Sequence, residues 1–160
     1  MSEGIEWAIH CCAVLAALPA GSSLSARDLA GFFDLPPDYL AKHLNALSAA
    51  GVINSKRGRS GGRRLARPPD AITLLDIVEA VDGAGSTFRC TQIRRRGPCA
   101  RDGDAYPRPC GIARAMWRAD SAWRAELKAT TLAEIVRLGA AETPDAQRQR
   151  AVKWLGERLK

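Results

Sequence analysis

The run Asp34 to Arg67, DLPPDYLAKHLNALSAAGVINSKRGRSGGRRLAR, constrains the fold more than any other stretch. Its first part predicts a helix. Asp34 suits an N-cap, and Pro36 or Pro37 suits a first turn whose N–H groups lack intrahelical acceptors anyway. Leu40, Leu44 and Leu47 recur at helical spacing and mark one buried stripe, while Asp38, Lys42, Asn45 and Ala49 fall on other faces. Gly51 supplies a helix stop. A short strand, Val52 to Lys56, leads into the tip Arg57-Gly58-Arg59-Ser60-Gly61-Gly62-Arg63-Arg64, and a return strand runs through Leu65. A helix followed by a basic, glycine-rich hairpin has the form of a winged helix-turn-helix, in which the helix reads a groove and the hairpin reaches the backbone or the neighbouring groove.

Charge agrees with that form. From Lys42 to Arg67 there are seven Lys or Arg and no Asp or Glu, which equals the net charge of +7 for the whole chain. So one-signed a window repels itself unless a polyanion neutralises it. Asp38 and Lys42, near the helix start, are the candidates for base edges. Tyr39 and Asn45 are candidates for base or phosphate, and Arg57, Arg59 and Arg63 for phosphate or the minor groove. His43 reads as a half-buried structural residue.

The rest of the chain completes a mainly α fold with a small β-hairpin wing. Residues 3 to 18 predict a first helix, with Trp7 packing on another helix. Its Cys11 and Cys12 read as small buried hydrophobes. Glu6 and His10, four residues apart, share one face. Ser25 and Asp28 predict a capping-box start for Ala26 to Phe33. After the connector Arg67-Pro68-Pro69-Asp70, Thr73 caps a fourth helix whose core side is Leu74, Leu75, Val78 and Val81. Gly83 stops it, and Gly83 to Ser86 reads as a flexible joint. Ile112, Met116, Ala119, Trp123 and Leu127 then repeat along a long helix to Lys128. One small domain cannot easily cover that stripe, which predicts pairing with its twin in a homodimer. Thr131 and Glu134 form a capping-box pattern for a helix to Gly139. A polar last helix, anchored by Val152, Trp154 and Leu155, should pack weakly. The expected organisation is 1–83 for the winged helix-turn-helix and its following helix, 84–111 for a cysteine loop, 112–140 for the dimerisation and short helices, and 141–160 for an extension.

The loop from Phe88 to Gly111 has no sustained apolar period but carries Cys90, Cys99 and Cys110. A long segment without its own secondary structure is usually functional or disordered. The wide cysteine spacing lacks the tight knuckles of structural zinc. Three thiols on such a loop can wrap an iron–sulfur cluster that takes a fourth ligand from elsewhere, or can work as a thiol/disulfide switch, and spacing leaves both open. No apolar run approaches the roughly 18 residues of a membrane span. Glu3, Glu6 and His10 break up any signal-peptide pattern, so the cytoplasm is the expected location. Two histidines and no paired carboxylates, nucleophile motif or phosphate loop argue against an enzyme. An electron carrier would have no use for the basic wing.

The segment YLAKHLNALSAAGVINSKRGRSGGRRLARPPDAITLLDIVEAVDG, the three cysteines and the helix opening GIARAMW resemble the Rrf2 family of bacterial transcription regulators. The resemblance runs from about Ile5 to Leu138. It implies a winged-helix homodimer on a near-palindromic DNA operator, and an iron–sulfur cluster, [2Fe-2S] before [4Fe-4S], that senses redox state, nitric oxide or iron and cluster supply. By the same resemblance, Cys90, Cys99 and Cys110 are cluster ligands. Glu6, with His10 second, matches the family's fourth ligand, given by the same chain or by a partner. The family's commoner cysteine spacing is tighter, which makes Cys90 and Cys110 the firm pair. Where the family usually has an aromatic after the wing glycines this chain has Arg63, which implies a stronger phosphate contact.

Overall fold

The computed structural model describes residues 2–56, 61–98, 100 and 108–159. Their elements are α1 (Glu3–Ala16), α2 (Ala26–Phe33), α3 (Pro37–Ala49), β1 (Ile53–Lys56), β2 (Gly62–Leu65), α4 (Leu74–Asp82), α5 (Gly111–Ala129), α6 (Leu132–Glu142) and α7 (Asp145–Gly156). Short 3-10 turns lie at Pro69–Ala71 and Ile93–Arg95.

The leucine stripe of α3 builds the core. Leu40, Leu44 and Leu47 are fully buried, and they meet Leu24, Leu29, Ile53, Ile72 and Ile77 from the surrounding elements. Cys11 and Cys12 lie in the same core, as expected of small hydrophobes. Burial pushes both thiols up to about 12, so neither ionises in the ordinary range. In α4, Ile77 and Val78 are the buried residues, whereas Leu74, Leu75 and Val81 are only partly covered. Val78 is thus buried as expected, Val81 packs against the core, and Ile77 joins them.

Caps follow the local sequence with two exceptions. Ser25 and Asp28 form a reciprocal capping box on α2, and Thr73 and Asp76 do the same on α4. Asp34 is not the N-cap of α3. It ends α2 in the left-handed conformation, with φ 53° and ψ 47°, and Pro36 takes the N-cap position. Aspartate tolerates that conformation better than most residues, and the two prolines then start α3 without a side-chain cap. At α6, Thr131 accepts from the Glu134 N–H at 3.2 Å, but the return bond is missing because the Glu134 carboxylate turns toward Arg137, 3.9 Å away.

The wing is an antiparallel pair with Ile53 opposite Leu65 and Ser55 opposite Arg63. Val52 precedes the strand rather than starting it. Leu24, between α1 and α2, exchanges both backbone hydrogen bonds with Arg63, at 3.1 and 2.7 Å, so the hairpin stem is clamped to the helical body. Gly62 permits this clamp, because a Cβ there would sit 2.4 Å from Ser23 Oγ and 2.8 Å from Ser23 Cβ.

A second tie joins α4 to the later helices. Leu74 N–H donates to Thr130 O at 3.0 Å and Leu132 N–H to Ile72 O at 2.8 Å, so the starts of α4 and α6 form one bridge. The segment after Gly83 is also held. Thr87 donates its N–H and hydroxyl to Asp120 Oδ1 at 3.1 and 2.8 Å, and Arg124 of α5 bonds Gly85 O and pairs with Glu79. Those two donors on Thr87 hold the Asp120 carboxyl below the usual carboxylate range. The expected flexible joint is therefore laced to α5.

Trp154 of α7 meets Phe32 of α2 edge-on, with centroids 5.3 Å apart, and the Arg158 guanidinium lies 4.0 Å over the Trp154 ring. Leu155 also packs inward, but Val152 is 65% exposed and is no anchor. No α7 residue is fully buried.

Gly62→Ala tests the wing clamp. The added methyl forces Ser23 and the β2 backbone apart, and destabilisation of roughly 1–3 kcal/mol is expected, read from urea unfolding. An unchanged unfolding midpoint would show that the stem is free to shift.

Candidate nucleic-acid interface and cysteine site

Helix α3 presents a buried and an open face. Opposite the leucines, Asp38, Tyr39, Lys42 and Asn45 are exposed, and together they form the surface the sequence assigned to DNA. His43 is more buried than expected, at 7% exposure. Its neighbours are Gly4 and Trp7 of α1 and Tyr39 one turn earlier.

The wing cations divide. Arg57 and Arg59 lie outside the described residues. Arg63 bonds back onto α3: its Nη1 donates to Leu44 O at 3.3 Å and its Nη2 to Asn45 Oδ1 at 2.8 Å. It fastens the hairpin to α3 and orients the Asn45 amide, and partial burial lowers its pKa. Arg67 makes surface bonds to Ala71 O and Asp76. The exposed described cations of this window are Lys42, Lys56, Arg64 and the tied Arg67. Arg64 was missed as a candidate, although strand alternation could have found it, since neighbours in β2 point to opposite faces.

Cys110 is the N-cap of α5. Its Sγ accepts from the Ala113 N–H at 3.3 Å. That hydrogen bond, a further one from the Cys90 thiol and the nearby Arg94 guanidinium draw the Cys110 pKa down, as a helix N-terminus does for a thiolate. Cys90 and Cys110 are thus brought together across the loop, both partly exposed. Cys99 lies outside the described residues. Two adjacent thiols, one of them poised to ionise, suit the soft donor set of an iron–sulfur cluster. Glu6 and His10 sit on the open face of α1, lining a small cavity of about 200 Å³ with Trp7, Phe33 and Leu35. Among the described residues no group of three or more His, Cys, Asp and Glu converges within one chain. Glu6 and His10 are therefore not brought to Cys90 and Cys110 inside the protomer.

The long helix α5 leaves much of its apolar stripe open. Ile112 is 72% exposed, Met116 43% and Trp117 37%, while Trp123 and Leu127 are half-buried. Among the described residues no helix is long and apolar enough to cross a membrane.

The Rrf2 family, described as "Iron-dependent Transcriptional regulator", matches residues 1–138. The chain belongs to the Rrf2 family. Relatives include Rv1287 of Mycobacterium tuberculosis, named as an HTH-type transcriptional regulator, 31% identical over 137 residues that cover 84% of this chain and 80% of that one. YwgB of Bacillus subtilis, similarly named, is 35% identical over 89 residues, 56% of this chain and 57% of its own. Two solved structures share the fold. CymR of B. subtilis superposes with TM-score 0.67 at 24% identity, covering 86% of this chain and 96% of that one. The IscR of T. potens gives 0.66 at 20% identity, covering 91% and 92%. This Rrf2 protein is a DNA-binding transcription regulator of winged-helix fold, not an enzyme. Its α7, beyond residue 138, falls outside the matched region.

The thiol environments predict a reactivity order. In folded, metal-free, reduced protein at neutral pH, a maleimide should label Cys110 ahead of the other described thiols. Cys11 and Cys12 should stay unlabelled until the chain is unfolded, since their thiolates are scarce below about pH 12. Mass spectrometry of partly labelled protein reads the order, and early labelling at Cys11 or Cys12 would contradict the buried core described above.

Proposed function

We propose that this Rrf2 protein works in the cytoplasm as a homodimeric regulator whose operator binding is switched by an iron–sulfur cluster. The observation that carries this reading is the pairing of Cys90 with Cys110 at the N-terminus of α5, where the helix end and Arg94 favour a thiolate. The family's description as iron-dependent supports the same reading. Cys90, Cys99 and Cys110 would supply three ligands, and Glu6, or failing it His10, would supply the fourth from the partner chain. A partner source is favoured because Glu6 and His10 do not meet the cysteines within one protomer. A [2Fe-2S] centre fits a set that mixes thiolate with carboxylate or imidazole. Such a group supplies reversible one-electron chemistry and sensitivity to nitric oxide or iron supply.

The residues of the chain do the rest. The open stripe of α5, from Ile112 to Trp117 and beyond, supports pairing with a second copy, because covering such large apolar side chains is favourable. Two copies would set two α3 helices against a near-palindromic operator. Asp38, Tyr39, Lys42 and Asn45 would approach base edges and the nearest phosphates. Lys56 and Arg64, joined by Arg57 and Arg59 at the wing tip, would contact phosphate and make affinity salt-dependent. Arg63 would act indirectly, by holding the wing on α3 and fixing the Asn45 amide. Ordering of the 84–111 segment around the ligands would alter how the α5 helices meet, and so the spacing of the two reading heads.

A second reading rests on the same cysteine pair. Cys90 and Cys110 could form a disulfide and switch DNA binding with no cluster. The structural neighbour CymR is the global cysteine regulator of B. subtilis, which supports this second reading.

The experiment is anaerobic preparation with visible absorption, iron and sulfide counts, and operator affinity in oxidised, reduced and cluster-free states. Cluster occupancy with affinities differing at least tenfold, about 1.4 kcal/mol, is expected. Cys110→Ser should abolish cluster binding, and Glu6→Ala should weaken it. Equal affinity in all three states would remove the switching claim and leave DNA binding intact. A protein free of iron that responds to diamide would favour the disulfide reading.

A further inference from the structure

The first turn of α1 sits against α3 at one unusually close point. A Cβ placed on Gly4 would lie 2.3 Å from His43 Cε1, 2.6 Å from Nε2 and 2.9 Å from Nδ1. The imidazole therefore lies flat against the α1 backbone, in space that any side chain at position 4 would claim. His43 is 7% exposed, and its buried Nε2 has no hydrogen-bond partner among the described residues. A buried, unsatisfied ring nitrogen is costly, and a leucine would fill a core position without that cost. Packing alone does not account for a histidine here.

The ring also supports a residue of the reading face. Tyr39 meets His43 edge-on with centroids 4.9 Å apart, and it meets Trp7 of α1 edge-on at 5.3 Å. Trp7 and His43 are themselves perpendicular at 6.4 Å. These three rings and Gly4 form a closed set, of which only Tyr39 reaches far into solvent, at 47% exposure. Edge-to-face pairs have preferred geometries, so displacing one ring displaces its partners.

We infer that His43 is a positioning residue for DNA recognition: seated on Gly4, it fixes the approach of α1 to α3 and holds Tyr39 on the reading surface. The role does not depend on which signal the protein senses. It does place the α1 turn that carries Glu6 one contact away from the DNA-reading face, since Trp7 follows Glu6 in the chain. A shift of that turn reaches Tyr39 directly.

The test uses the full chain and two duplexes of equal length, one selected by the wild-type protein from a random pool and one scrambled. The readout is the ratio of the two affinities, with its salt dependence, for Gly4→Ala, His43→Ala and the double variant. Each single variant should lower the ratio about tenfold, one by pushing the ring away and the other by removing it. The salt slope should stay unchanged because the phosphate contacts remain. The double variant should match His43→Ala rather than multiply the two losses, because a methyl at position 4 clashes only with the ring that is then absent. Such non-additivity is expected only of directly touching residues. A loss of fold stability alone would scale both affinities together and leave the ratio constant, and that result would overturn the inference. A double variant a further tenfold below His43→Ala would also overturn it. That comparison still decides the matter if Gly4→Ala alone does not fold.

Discussion

Burial of the Leu40, Leu44 and Leu47 stripe is the constraint from which the molecule takes its shape. The three leucines commit one side of α3 to the interior, and helical geometry then commits Asp38, Tyr39, Lys42 and Asn45 to the exterior. The surface available to a nucleic acid is thus the complement of the core. Neither face could be changed without moving the other, which is why a reading helix sits at the centre of so small a domain.

Around that helix the structure uses short polar ties where apolar area is scarce. The Leu24–Arg63 exchange clamps the hairpin, the Thr73–Thr131 bridge holds α6 to the start of α4, and Thr87–Asp120 fastens the approach to the cysteine segment. Arg63 belongs to this set. Its guanidinium satisfies Leu44 O and Asn45 Oδ1. That use makes one wing cation a brace for the reading face.

The described part of the cysteine segment is held on a different principle. Little apolar area is buried there, and the described thiols gather at the end of a 19-residue helix, where unpaired backbone N–H groups favour negative charge. Cys11 and Cys12 mark the contrast. They have the same side chain, but in the hydrophobic core ionisation is suppressed. Environment, not residue type, separates inert thiols from reactive ones in this chain.

The sequence by itself determined the helices, the hairpin and the one-signed reading window. Helical period, cap residues and charge are local properties that a linear reading can see. Tertiary structure decided the rest. Asp34 could cap a helix start or end one, and the packing of α2 against α3 chose the end. Arg63 reads in sequence as a free wing cation, and folding bonds its guanidinium to Leu44 O and Asn45 Oδ1. The meeting of Gly4 with His43, and of Cys90 with Cys110, joins residues far apart along the chain. Such contacts arise only when whole elements pack, because no local preference encodes which surfaces will face each other.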